Sequence, residues 1–263
     1  MTAPELIVAQ RAARAGGDVV ARYFRDGVAM RGKQSFELVS DADLEAERAI
    51  VDRIRAEFPG HAVLGEELHR DAVDAEHLWI VDPLDGTNNF GHRIPQFAVS
   101  IAYVRNGRAE CGVVYQPVTD EWFIARRGCG AFHNGQAVQV STASRLDQAL
   151  LGVGFYYDRG AMMEATLAAI GDLFRRQIHG IRRFGAASLD LCWVGLGRFD
   201  GFFEFELAPW DFAAGRLFVE EAGGIVTTCD GQDPPWAKSS ILATNGHLHA
   251  EILETIRPKM PRR

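Results

Sequence analysis

Residues 79–90 read Trp79-Ile80-Val81-Asp82-Pro83-Leu84-Asp85-Gly86-Thr87-Asn88-Asn89-Phe90. With His77 and Leu78 ahead of it, the stretch opens as a short apolar run, which predicts a buried strand over 77–81. Asp82 follows directly, so a carboxylate stands at the end of a buried strand, where an unpaired charge is costly. Pro83 is expected to force the chain out of the strand, and Asp85 arrives three residues after Asp82. Gly86 permits close backbone approach, and Thr87 can cap or open a helix. A strand end, two aspartates and a helix start can hold a hard cation and an anion together. Asp-Pro and Asp-Gly alone are ordinary turn dipeptides. The whole segment behind an apolar strand is what points to a site.

Working outward, the chain of 263 residues suits one large α/β unit or two fused subdomains. Hydrophobic residues at 47% and charged residues at 24% are those of an ordinary globular enzyme. The formal net charge of −7 argues against bulk attraction to nucleic acid or an anionic membrane. It also means that an anionic substrate needs a local positive charge, for which metal ions are the obvious source. Cys111, Cys129, Cys192 and Cys229 form no C-x-x-C pair, which argues against a disulfide framework or a structural zinc site. No apolar leader or membrane-length apolar run is seen, so a cytoplasmic protein with reduced thiols and no membrane partner is expected.

On the N-terminal side, residues 4–25 read as an amphipathic helix interrupted near Gly16-Gly17. Ser40 and Asp43 form a variant capping box for a second helix, ended by Pro59-Gly60. On the C-terminal side, strands are predicted over 97–104, 109–116 and 121–125, and Asn134-Gly135 signals a hairpin. Beyond it, strands are predicted at 151–156, 199–205, 225–228 and 241–244. Helices are expected at 162–174, 188–196, from Pro209 to about Ala222, and from His247. A strand-rich half followed by an alternating half suggests an N-terminal α+β subdomain with a mostly antiparallel sheet (1–145). A C-terminal α/β subdomain (146–263) would follow it.

Two further acidic places stand out. Gly65-Glu66-Glu67 follows the apolar run Ala62-Val63-Leu64, and Trp210-Asp211 opens an otherwise apolar helix. Taken singly, Glu66 reads as a solvated loop acid and Asp211 as a partner of the helix dipole. Taken together, the runs GEE at 65–67, WIVDPLDGTNNF at 79–90 and PWDFAAG at 209–215 resemble the signature stretches of the inositol monophosphatase family. RRFGAASLDLCWVGLGRFDGFFE at 182–204 and EEAGGIV at 220–226 also fit.

The resemblance spans nearly the whole chain, in order. It implies a layered αβαβα fold and a magnesium-dependent, lithium-sensitive phosphatase. Carried over residue by residue, Glu66, Asp82 and the Leu84 carbonyl would hold one Mg²⁺; Asp82, Asp85 and Asp211 would hold a second. A third, weaker ion would lean on Glu66. Asp43 matches an outer acid near the metals, although Ser-Asp-Ala-Asp stands here where the family usually has Thr-Ala-Thr-Asp. Glu66 and Thr87, hydrogen-bonded to each other, would orient the attacking water. The phosphate would rest on the ions and on the N–H groups of Gly86 and Thr87. These assignments fit the chemistry of Mg²⁺, which prefers oxygen ligands and keeps several waters. Two ions about 3.5–4 Å apart can activate water on one side and stabilise the leaving oxygen on the other.

On the substrate side, the same resemblance places Gly185, Ala186 and Ala187 beside the substrate hydroxyls and gives Glu204 a ring hydroxyl to bind. A small phosphate monoester is thus the expected partner, myo-inositol 1-phosphate first. Related branches act on fructose 1,6-bisphosphate, histidinol phosphate or 3′-phosphoadenosine nucleotides. A homodimer is implied by the resemblance as well. Some bacterial members assist transcription antitermination by binding protein and RNA, and Arg182-Arg183 could belong to such a surface. A metal-dependent nuclease would also use clustered carboxylates, but the acidic balance and the lack of a basic, aromatic-lined groove argue against one.

Overall fold

The computed structural model describes residues 3–27, 29, 31–32 and 38–261. In chain order, the N-terminal half contains α1 (Pro4–Asp26), β1 (Arg31–Gly32), β2 (Leu38–Val39), α2 (Asp41–Glu57), β3 (Ala62–Gly65), β4 (His77–Asp85) and α3 (Thr87–Gly91). It continues with β5 (Ala98–Arg105), β6 (Arg108–Gln116), β7 (Glu121–Arg126), β8 (Gly130–His133) and β9 (Gln136–Val138). The second half comprises β10 (Leu150–Val153), α4 (Ala161–Arg175), β11 (Gly180–Arg182), α5 (Ala187–Gly195), β12 (Gly201–Leu207), α6 (Pro209–Glu221), β13 (Ile225–Thr227), β14 (Ser239–Thr244) and α7 (His249–Ile256). Strands β3 to β9 form one sheet in sequence order, antiparallel except for the β3–β4 pair. The second sheet has the order β11-β10-β12-β14-β13 and mixes parallel with antiparallel pairs.

Side-chain alternation turns these sheets into layers. In β4, Trp79 and Val81 pack with Leu6, Ala9, Ile50 and Ile54 of α1 and α2. Their neighbours Leu78 and Ile80 face the other way, onto Leu189 of α5 and Ala213 and Leu217 of α6. In β12, Phe202 packs with Leu191 and Phe212 of the same two helices, whereas Phe203 packs with Leu173 of α4 and Ile252 of α7. Helices α5 and α6 are therefore the shared middle layer, apolar on both faces as a doubly covered helix must be. The order of layers is helix, sheet, helix, sheet, helix. Truncating a fully buried aromatic such as Phe212 would cost about 3–5 kcal/mol by the usual cavity and transfer terms.

Two expectations need correction. Helix α1 is not interrupted at Gly16-Gly17. A Cβ at Gly16 would lie 2.7 Å from the Ile50 side chain, and one at Gly17 would lie 2.4 Å from the Tyr115 ring. The two glycines let α1 approach α2 and β6 closely. Nor does Pro83 end the strand. Strand β4 pairs Asp82 with Ser100 and resumes at Asp85 with Ala98, so one extra residue bulges out between them. A bulge is one of the few places where a paired strand tolerates proline.

Candidate metal centre

The bulge decides where the two aspartates point. In a regular strand, residues three apart face opposite sides of the sheet. One inserted residue restores Asp82 and Asp85 to the same side. That side is the α6 side: Ser100, opposite Asp82, donates its hydroxyl to the carbonyl of Trp210 at 3.2 Å, next to Asp211. Oxygens of Asp82, Asp85 and Asp211 come within 4.8 Å of one another as a result. Residues from the β4 bulge, the end of β4 and the first turn of α6, 129 positions apart at the extremes, thus meet at one point.

Each carboxylate has a partial anchor. Asp82 Oδ1 accepts the Leu84 N–H at 2.9 Å, within the bulge. Asp85 accepts the N–H groups of Ala187 at 3.2 Å and Ser188 at 2.7 Å, at the start of α5. Asp211 Oδ2 accepts the Ala208 N–H at 2.7 Å, so it does cap α6. These bonds do not offset the crowding. Burial, then the charges of Glu66, Asp85 and Asp211, holds the Asp82 carboxyl well above the usual carboxylate range. Burial and Asp85 do the same to Asp211. Two buried carboxylates and a partly buried one, with mutual repulsion and only oxygen atoms to offer, are a donor set for a hard divalent cation.

Glu66 stands on the wall of the same cavity, outside that three-carboxylate cluster. It follows β3, whose last residue Gly65 is level with Val81, so Glu66 runs alongside Asp82. Its loop is fixed by a residue that the sequence did not single out. Glu47 of α2, fully buried, accepts the N–H groups of Glu67, Leu68 and His69 at 2.6, 2.8 and 3.0 Å and the His69 ring at 2.8 Å. A Cβ on Gly65 would press on the Glu47 carboxylate at 2.6 Å, which explains the glycine there.

Gly86 starts α3 with φ of 94°, a conformation that favours glycine, and a Cβ there would meet the Gln96 carbonyl at 2.9 Å. The Thr87 hydroxyl, expected beside Glu66, lies 3.0 Å from the Leu84 carbonyl and 3.3 Å from Asp43 Oδ1. Asp43 itself completes the capping box with Ser40 and is fully buried, which pushes its pKa up to about 6. Through Thr87, Asp43 is linked to the turn that carries Leu84 and Asp85.

The cavity beyond the cluster measures about 330 Å³. Its wall also carries Glu204, Arg183, Gly185 and Ala187, while Ala186 is fully buried in the core. Glu204 is enclosed, and burial pushes its carboxyl up to about 8, with Arg183 opposing and Asp190 reinforcing the shift. A Cβ on Gly154 would fall 1.7 Å from its carboxylate, so Gly154 leaves the room in which Glu204 sits. The sequence also missed Tyr156 and Lys238, which bond to each other at 2.9 Å, together with Arg70 and Asp190. A lone acid within the apolar run of α5 was the one available signal for Asp190. Around the cavity, seven carboxyl groups face three cationic side chains. An anion enters such a site only when cations accompany it.

The model of the inositol monophosphatase family matches residues 2–260. A protein of Pseudomonas aeruginosa named Nus factor SuhB is 43% identical over 266 residues, covering 98% of this chain and 97% of its own length. The Escherichia coli K12 protein of the same name is 41% identical over 260 residues, with coverage of 98% and 97%. Among solved structures, the extragenic suppressor protein suhB of Bartonella henselae superposes with a TM-score of 0.90 at 38% identity, covering 97% of this chain and 98% of that one. An inositol monophosphatase from Anabaena gives 0.86 at 38% identity, with coverage of 97% and 96%. No helix among the described residues is long and apolar enough to cross a membrane.

Proposed function

The chain belongs to the inositol monophosphatase family, and from that premise we propose that it hydrolyses a small phosphate monoester, myo-inositol 1-phosphate first, with Mg²⁺ as cofactor. One observation carries the proposal. A cluster of mutually repelling carboxylates, two of them buried, shares one cavity with an enclosed glutamate and an arginine. The cluster suits cations and a phosphate; the glutamate and arginine suit a hydroxylated ring. Glu66, Asp82, Asp85, Asp211 and the Leu84 carbonyl would hold two Mg²⁺ ions, with a third leaning on Glu66. When bound, Mg²⁺ neutralises the carboxylates and the phosphate and lowers the pKa of water.

The remaining work falls to the chain. Thr87 gives its proton to the Leu84 carbonyl or Asp43, which leaves its oxygen free to accept from the attacking water. Glu66 would take the second proton contact of that water. The Gly86 and Thr87 amides, at the start of α3, would receive a phosphate oxygen. The water oxygen bonds to phosphorus as the ester P–O bond breaks, and the alcohol leaves with a proton. Phosphate release from a panel of monoesters with and without Mg²⁺ tests the proposal; equal release in excess EDTA would refute it. We propose a homodimer for the assembly, to be tested by sedimentation.

A second role is favoured by one observation, the name Nus factor carried by relatives that cover nearly the whole chain. An accessory role in transcription would coexist with the phosphatase. Co-elution of the purified chain with transcription accessory factors at moderate salt tests it, and separate elution would count against it.

A further inference from the structure

Among the described buried side chains, one that lines the cavity has a polar atom without a partner. Asp190, in the first turn of α5, is 1% exposed, and its Oδ1 has no hydrogen-bond partner among the described residues. The residue lines the cavity wall. Its charged surroundings pull in both directions, with Asp85 on one side and Arg183 and the Gly185 amide on the other. Native interiors rarely leave a buried carboxyl oxygen unpaired. The described residues supply no donor here, and the side chain belongs to the wall of a cavity whose ligand can.

We propose that Asp190 is a further specificity-determining residue, whose free oxygen bonds a hydroxyl of the substrate's polyol beside the one that Glu204 takes. A hydroxyl is the fitting partner because it both donates and accepts, so it satisfies the carboxyl whether ionised or protonated. The arrangement of neighbours agrees. Asp190 acts electrostatically on Glu204, Arg183 acts on both, and all three line the same cavity. Two acids and a cation on one cavity wall form a surface for adjacent hydroxyls, whereas an aryl ring offers nothing to either acid. The inference rests on the phosphatase proposal and sharpens it to substrates with at least two neighbouring hydroxyls on the alcohol.

The test compares Asp190→Ala and Asp190→Asn with wild type on myo-inositol 1-phosphate and on 4-nitrophenyl phosphate, with Mg²⁺. Binding of inositol 1-phosphate is also followed calorimetrically with Ca²⁺ in place of Mg²⁺. Asp190→Ala is expected to lose about tenfold in kcat/KM for the inositol ester, chiefly through KM, and a similar factor in binding. It should change less than about twofold on the aryl ester, which lacks the hydroxyls. Asp190→Asn keeps the shape and a polar atom at the same place, so it should fall between the two and serves if the alanine variant does not fold. Equal losses on both esters would overturn the inference, because Asp190 would then support the carboxylate cluster. No loss on the inositol ester with an active wild type would overturn it alone. A wild type that neither binds nor hydrolyses the inositol ester would overturn it together with the substrate proposal.

Discussion

Ser188 donates both its backbone N–H, at 2.7 Å, and its hydroxyl to Oδ2 of Asp85, a residue 103 positions earlier. One carboxylate therefore joins the end of β4 to the start of α5, that is, the cation side of the cavity to the helix that carries Asp190. The favourable field of a helix N-terminus explains how Asp85 tolerates burial beside two other acids.

The first prediction follows. Ser188→Ala removes the hydroxyl but not the amide, so the fold should survive with a loss of about 1.5–3 kcal/mol, as expected for a hydrogen bond to a charged group. Asp85 should also hold its cation less well. Mg²⁺ titrations of activity and of melting temperature are the check, and half-saturation should rise several-fold. An unchanged Mg²⁺ requirement would show that the hydroxyl does not position Asp85.

Glu47 gives the second prediction. Glu47→Ala leaves three consecutive N–H groups without their acceptor. It should destabilise by about 3–5 kcal/mol, as when one partner of a buried charged network is lost. The effect should be local first: amide exchange at 66–69 should accelerate more than in β4. Uniform acceleration would mean that Glu47 supports the whole fold rather than the Glu66 loop.

The third prediction concerns pH and the metal-free chain. Burial raises the Glu204 carboxyl from 4.5 to about 8, so it stays protonated in the fold at pH values where the unfolded chain ionises it. Stability from this group is fully present below pH 4.5 and is lost as pH rises through about 8. Asp43, raised to about 6, acts in the same direction over a lower window. The melting temperature in EDTA should fall between pH 5 and 8, at a rate corresponding to about 1.4 kcal/mol per pH unit for each group titrating. Glu204→Gln should flatten the upper part of that curve, and a curve identical to wild type would contradict the assignment. Mg²⁺ should stabilise the chain most at the alkaline end.

Much of this was legible in the sequence because it was local. The apolar run before Asp82, the Ser40–Asp43 box, the Asn134-Gly135 hairpin and Pro209 at a helix start each carry their own signal within a few residues. What escaped depends on contacts distant in the chain. The Gly16-Gly17 pair reads as a break until Ile50 and Tyr115 are seen against it. The bulge at Pro83 requires knowing that Asp82 faces Ser100 and Asp85 faces Ala98. Glu47 looks like any helix acid until the 65–70 loop folds over it. The resemblance supplied Glu66, Asp211 and Glu204 as a set; no spacing rule would have joined them.

Thr87→Ala gives the fourth prediction. The hydroxyl contacts Leu84 and Asp43 and no cation ligand is lost with it. Turnover should fall by roughly one to three orders of magnitude, in the range of a positioned proton partner, with Mg²⁺ affinity nearly intact. Weaker Mg²⁺ binding with full turnover at saturation would instead make Thr87 a support of the Leu84 carbonyl.

If Asp82, Asp85 and Asp211 form one cation site serving hydrolysis, Asp82→Asn should disable it while sparing the fold. The amide oxygen can keep the 2.9 Å bond from the Leu84 N–H, so the bulge should persist. Removing a buried charge should raise the melting temperature of the metal-free chain at pH 8. In the same variant, Mg²⁺ should no longer raise the melting temperature, and phosphate release should fall below about a hundredth of wild type. A variant that retained about a tenth of wild-type turnover, or that was still stabilised by Mg²⁺, would mean that the three carboxylates do not form one cation site.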